Sequence, residues 1–306
     1  MTNWRLWIGI ITCSLIVLLA ILGPVIAPYE KDFMEPTGYY YNGPEDFGVH
    51  SSPYPPSKEH IFGTDQWGYD ILTLLLYGAK YTVFVGIGVA LVRIIVGGLL
   101  GMWFGLTGRE GKKNSNSIFG LLGSIPAFVI LYFLLIGITI NSELSTLELI
   151  FLQAFIMIII GVPGVYAAIH SKTNELKKDL YITAARALGA GRFRILWKHL
   201  LPHLKGTFLA MFVKEIIIVL TLIGQLGIFN LFFGGTILRL GGPPVYISIS
   251  REWAGLIGQW RSFVYDFQWI LIVPLIAFLL LLFSFYILSR GIEIRQKAIL
   301  QKYPHI

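Results

Sequence analysis

Few residues in this chain have the types and spacing that chemistry needs. His199 and His203 stand at i and i+4, so one helix face could present two imidazoles to a metal. No third ligand accompanies them, and Pro202 interrupts the turn between them. Gly108-Arg109-Glu110-Gly111-Lys112-Lys113 has the composition of a phosphate loop without the spacing that lets backbone amides cradle phosphates. No H-E-x-x-H and no G-x-S-x-G occurs, so zinc hydrolysis and serine nucleophile-elbow chemistry have no carrier. The lone Cys13 excludes an intrachain disulfide. Three charges within apolar runs are left: Arg93, Lys214 and Glu215. Ionisable groups there are costly in lipid, so they form an internal ion pair, snorkel to the interface, or line a substrate path.

The elements that must position these residues are membrane helices. The chain of 306 residues is 55% hydrophobic and 13% charged, with mean hydropathy +0.70. That is more apolar surface than a soluble core of this size buries. Six runs are long enough to cross about 30 Å of hydrocarbon: Trp7 to Ala27, Thr82 to Leu106, Ile118 to Ile140, Leu149 to Ala168, Thr207 to Phe229 and Trp269 to Leu288. The first exceeds an ordinary signal-peptide core, so it is expected to be retained despite the small residues near Ala27. Trp7, Tyr81, Trp103 and Trp269 fit interfacial anchors.

With the N-terminus inside, the cytoplasmic segments carry sixteen of the Lys and Arg residues and the outer ones six. This asymmetry orients the chain with both termini in the cytoplasm. It also accounts for the formal charge of +7 without a nucleic acid. The expected divisions are residues 1–81, a first span and outer loop; 82–290, a membrane core with a cytoplasmic loop at 170–206; and 291–306, a tail.

In the outer loop, Thr64 or Asp65 could cap a helix through Ile71, Leu72, Leu75 and Leu76, lying along the interface before the second span. Gly97, Gly101 and Gly105 recur every four residues and form a smooth strip for a neighbouring helix. The Gly- and Pro-rich stretch 231–268 reads as an outer loop with an interfacial turn near Trp253 to Trp260.

The most unusual stretch is Lys177 to Pro202, KKDLYITAARALGAGRFRILWKHLLP. Leu180, Ala184, Ala187 and Leu188 share one helical face; Phe193, Leu196, Trp197, Leu200 and Leu201 share another; Gly189-Ala190-Gly191 separates the two. Thr183-Ala184-Ala185, Gly189 and Leu201-Pro202 resemble the EAA loop of ATP-binding-cassette importer permeases. His60-Ile61-Phe62-Gly63-Thr64-Asp65-Gln66-Trp67-Gly68-Tyr69-Asp70, followed by Tyr77-Gly78-Ala79, is similar to a second signature of the oligopeptide/dipeptide/nickel branch. Thr183 stands where the loop's namesake Glu often sits, and Tyr69 replaces that second signature's usual Arg.

The resemblance implies an all-α polytopic fold of the type I importer class, in a bacterial-type inner membrane. It implies a permease that is not itself an enzyme and binds no cofactor, with ATP and Mg on two cytoplasmic ATPase subunits. A homologous second permease, an extracytoplasmic substrate-binding protein and membrane lipid would complete the assembly, and peptides would be the cargo. Thr183, Ala184, Ala185 and Gly189 would form a coupling helix seated on an ATPase. The face of Phe193, Leu196, Trp197 and Leu200 would hold the following helix to the bundle, and Pro202, after Leu201 of the same loop motif, would fix its entry angle. The rival reading is a self-sufficient secondary transporter or channel, which would need coupling-ion sites near the midplane.

Overall fold

The computed structural model describes residues 3–43, 46–108 and 125–302. Most of the loop at 107–117, including its basic cluster, lies outside these residues, as does the start of the third expected span.

Nine α-helices and two short hairpins make up the described chain. Five helices are long and apolar enough to cross a membrane: α1 (Trp4–Ile26), α2 (Ile71–Thr107), α4 (Thr146–Leu176), α7 (Leu201–Ile228, continuous with the shorter α6, Arg192–Ile195) and α9 (Gln268–Lys302). The third expected span is seen as α3 (Ala127–Thr139), a shorter apolar helix. The remaining elements are α5 (Leu180–Ala187) and α8 (Trp253–Trp260), with hairpin β1 (Gly38–Gly43) and β2 (Asp46–His50) and hairpin β3 (Thr236–Arg239) and β4 (Val245–Ser248).

Two expectations at the outer loop need correction. No separate interfacial helix precedes the second span, because α2 runs unbroken from Ile71 past residue 81, with Ile71, Leu74 and Leu75 buried. Nor do Thr64 and Asp65 cap it. Asp70 does, its Oδ2 accepting from the Thr73 amide at 2.7 Å and the Thr73 hydroxyl at 2.8 Å. Asp65 instead closes the preceding turn, with its Oδ1 accepting from the amides of Trp67 (2.9 Å) and Tyr69 (3.0 Å).

The glycine strip packs as expected. A Cβ at Gly97 would press on Val165, at Gly101 on Ile169, and at Gly105 on Thr173, all on α4. Small residues therefore let α2 and α4 approach closely, which replaces the missing hydrophobic drive between helices in lipid.

The stretch 231–268 is not a loop with an interfacial turn. Its helix α8 is buried, with Trp253, Leu256 and Trp260 in the main core. A Cβ at Gly258 would collide with the Gly227 carbonyl, and one at Gly78 with the Arg251 carbonyl. Backbone therefore lies on backbone at this end. Glu252 is enclosed and accepts from the amides of Ala254 (2.8 Å) and Phe233 (3.4 Å). Burial nevertheless outweighs these bonds and pushes its carboxyl up to about 7. Gln153 of α4 ties the same stretch down, donating to the Phe232 carbonyl and accepting from the Gly234 amide at 2.7 Å.

Contacts pair the element ends. Asn3 donates to the Gly291 carbonyl at 2.6 Å, Gln296 donates to the Gly206 carbonyl, and Lys177 reaches Gly105 and Gly108. The start of α1, the last turns of α9 and the stretch around α5 thus share one end of the bundle. Hairpin β3–β4, α8 and the turn before α2 share the other.

Candidate functional site: the hinged segment from Lys177 to Pro202

The segment begins where α4 stops. Lys177 Nζ donates to the carbonyls of Gly105 (3.3 Å) and Gly108 (3.1 Å) at the end of α2, and to Asn174 Oδ1 at 2.7 Å. A cation on otherwise unpaired C-terminal carbonyls satisfies them and suits the helix dipole. This pins the two helix ends together immediately before the chain leaves the bundle.

α5 then runs to Ala187, and Gly189 turns the chain with φ +83°. Nothing lies within 4 Å of where a Cβ there would sit. The glycine is required by the left-handed backbone rather than by crowding, and a side chain would cost about 1–2 kcal/mol through that conformation alone.

α6 starts at Arg192 and passes through one π turn, Leu196–Leu200, into α7. The Leu201 amide donates to the Leu196 carbonyl, five residues back. Pro202 follows at once; it has no amide to offer the carbonyl four residues before it, and a wider turn accommodates that loss.

The π turn changes which residues face inward. Ile182, Ile195, Leu196, Leu200 and Leu204 form a small cluster with Met102 and Leu106 of α2 and Val165 and Ile169 of α4, separate from the main core. The expected inner face of Phe193, Leu196, Trp197 and Leu200 is therefore split. Leu196 and Leu200 are buried, whereas Phe193 is 67% and Trp197 49% exposed. Their rings pair at 6.0 Å and, with Gly189, Gly191, Arg194 and Lys198, line a shallow groove of about 480 Å³.

The expected apolar face of α5 turns outward as well. Leu180 is 87% and Leu188 89% exposed, Thr183 and Ala184 are exposed, and Ala185 is half-buried. Only Ile182 of α5 is fully buried. Leu201 is half-buried and Pro202 exposed at the first turn of α7.

The two histidines serve packing. Tyr181 of α5 lies 6.4 Å from the His199 ring and 5.1 Å from the His203 ring, tying α5 to the start of α7. Partial burial, with the Asp179 charge second, raises the Tyr181 phenol above its ordinary pKa.

Lys177, Tyr181, Ile182 and Ile195 thus do positioning work that periodicity alone missed. Ile182 falls off the Leu180/Ala184/Leu188 stripe, and Ile195 falls off the stripe of Phe193, Leu196, Trp197 and Leu200. The only usable signal for Lys177 was a cation placed at a helix end.

The three charges within spans are resolved by geometry into two ties. Arg93 is 1% exposed; its Nη1 lies 3.0 Å from Glu215 Oε2, and Nε and Nη2 donate to the Met157 carbonyl at 3.1 and 2.6 Å. A Cβ at Gly161 would strike the guanidinium, so that glycine makes its berth. The pair joins α2, α4 and α7. Lys214 turns the other way, to Glu293 of α9 at 2.6 Å. Arg93 and Glu215 are an internal ion pair, and Lys214 takes no part in it.

The segment is thus an outward apolar helix followed by a glycine turn, seated on its own hydrophobic cluster at one end of the helical bundle. Residues 97–297 match the family described as binding-protein-dependent transport system inner membrane component. The chain belongs to this family. The oligopeptide transport system permease protein of Bacillus subtilis is 25% identical over 292 residues, covering 95% of this chain and 85% of the relative. The dipeptide transport system permease protein of Alkalihalophilus pseudofirmus is 26% identical over 293 residues, covering 94% and 83%. That of Bacillus subtilis is 25% identical over 296 residues, covering 93% and 79%. The family match spans the whole hinged segment, and membership makes the five membrane-capable helices and α3 the scaffold of a transporter subunit.

Proposed function

We propose that this chain is the permease subunit of an ATP-driven peptide importer and that α5 is the helix through which a separate ATPase subunit moves it. The peptide cargo follows from the relatives, which are named for oligopeptide and dipeptide transport. One observation carries the coupling role: Leu180 and Leu188 before Gly189 and Phe193 and Trp197 after it all stand in the open, while Ile182 of α5 is buried in a cluster with residues of α2 and α4. A partner that covers those four side chains would gain about 1.5–3 kcal/mol for each one fully buried. Movement of α5 would then reach Met102, Leu106 and Ile169 by rigid contact.

In this reading the end holding α5, the N-terminus and the last turns of α9 faces the cytoplasm, in keeping with the excess of Lys and Arg there. A second, homologous permease completes the pathway, two ATPase subunits hold the nucleotide and Mg, and an external binding protein delivers the peptide. This chain supplies no catalytic residue and holds no cofactor.

The test is the assembled complex in proteoliposomes with Gly189→Leu. Membrane insertion should stay normal and ATP hydrolysis should continue, while peptide uptake falls at least about tenfold for a misplaced coupling contact. Unchanged uptake would remove the hinge from the mechanism.

A further inference from the structure

At the end of the bundle away from α5, a cleft of about 400 Å³ opens between the segment after α1, the turn before α2, and hairpin β3–β4. That volume matches a small-ligand site. Its cations are Lys31, Arg239 and Arg251. Arg251 is already engaged: it lies 3.1 Å from Asp32 Oδ1, donates to the Lys31 carbonyl, and stacks 4.6 Å above the Tyr69 ring. Its backbone is held at φ +57° by the Ser248 hydroxyl, which accepts from its amide at 3.1 Å. Arg251 therefore fixes the wall and places Lys31.

Lys31 and Arg239 differ from it. Among the described residues neither side chain has a carboxylate partner. Of the acids in the cleft, Asp32 is spent on Arg251, and Asp65 is buried, holds two backbone amides, and is pushed up to about 7 by desolvation. The remaining wall is largely apolar, with Met34, Trp67, Ile237, Ile247 and Ile249, while the polar Ser248 and Gln259 accept from the Arg251 and Ser248 amides. Two uncompensated cations beside an apolar wall call for an anion that carries an apolar body.

We propose that this cleft binds the C-terminal carboxylate of a short peptide, with Lys31 and Arg239 holding the carboxylate and the apolar wall taking the last side chain. The proposal rests on the peptide reading above and adds to it a site on the permease itself. Charge-assisted hydrogen bonds from two cations are stronger than neutral ones and are lost when the carboxylate becomes an amide.

The test uses the full chain in lipid nanodiscs, titrated calorimetrically with Ala-Ala-Phe and with its C-terminal amide. The acid should bind at least about tenfold more tightly than the amide, as expected for losing charge-assisted bonds. The double variant Lys31→Gln/Arg239→Gln should bind both alike. Lys31→Arg/Arg239→Lys should keep the preference for the acid, and N-acetylation should leave it unchanged. Equal binding of acid and amide, no saturable binding of either, or a retained preference in the double Gln variant would overturn the site. An acidic side chain of a protein partner occupying the cleft would appear as no saturable peptide binding, which is the second of these outcomes. If the site fails while ATP-driven peptide uptake persists, the permease reading stands. Binding in the predicted pattern without such uptake would remove the permease reading and leave the site.

Discussion

The two ends of the bundle are built in opposite ways. Around α8 the chain is finished: Gly78 and Gly258 admit backbone against backbone, Gln153 and Glu252 collect the loop amides, and Trp260 is fully buried. Around α5 it is unfinished, with Leu180 and Leu188 almost wholly in the open and Ile182 the one residue of the helix that is fully buried. In the reading proposed above, this surface, left apolar at one end of a chain that buries it at the other, is where a partner would sit.

The contrast predicts a steep difference between the same substitution at the two ends. Gly78→Leu or Gly258→Leu forces a side chain into a carbonyl and should abolish folded, monodisperse protein in detergent. Such overpacking typically costs about 1–3 kcal/mol and more when backbone cannot yield. Gly189→Leu should leave the yield intact and lower the unfolding midpoint slightly, by about 1–2 kcal/mol of left-handed strain. Equal damage at both ends would erase the distinction.

Next in size is the tie between them. Arg93→Ala leaves Glu215 without its cation in a largely enclosed setting, for a loss of about 3–5 kcal/mol. Arg93→Met combined with Glu215→Met should recover much of it, because the second change removes the stranded charge. A thermal unfolding series of the two single variants and the double checks this. Strict additivity would show that the pair is not a tie.

A smaller effect distinguishes the ends by pH. Asp65 and Glu252, with folded pKa values near 7 against ordinary values of 3.8 and 4.5, keep their protons in the folded chain where an unfolded chain has lost them. Their contribution is therefore fullest below about pH 4 and declines as pH rises to about 7, by up to about 1.4 kcal/mol per pH unit for each proton. Asp65→Asn should flatten this slope by one proton's worth in unfolding midpoints recorded between pH 5 and 7. An unchanged slope would mean that Asp65 is ionised in the folded chain.

The smallest stability effect belongs to the exposed pair. Phe193→Ala and Trp197→Ala should each change the unfolding midpoint of the isolated chain by less than about 1 kcal/mol, as surface positions do. They should still impair ATP-driven uptake.

Much of the scaffold was legible because its signals are local. Long uncharged runs had to be helices, and Gly97, Gly101 and Gly105 announced a close neighbour by period alone. What was hidden depends on distant parts of the chain. The choice of Asp70 over Thr64 or Asp65 as cap rests on which turn packs where, and the burial of α8 depends on glycines in α2 and α7. Arg93 announced a partner but could not name Glu215 or the Met157 carbonyl. At the candidate site, Gly189 and the two amphipathic stripes were readable. Which side of each stripe faced outward was not, because that depends on where Met102, Leu106, Val165 and Ile169 of α2 and α4 lie, and the π turn before Pro202 shifts the period of the residues after it.

The central claim is that the exposed face of α5 lies against an ATPase subunit. The chain's single native cysteine, Cys13, is buried, so a cysteine at Leu188 can be labelled selectively. Leu188→Cys and a control, Tyr265→Cys, 89% exposed beyond α8, would be tested with a short thiol-to-amine crosslinker in the assembled, transport-active complex. The account predicts a crosslink from position 188 to the ATPase subunit and none from position 265. No crosslink from 188 in an active complex, or an equal one from 265, would contradict it.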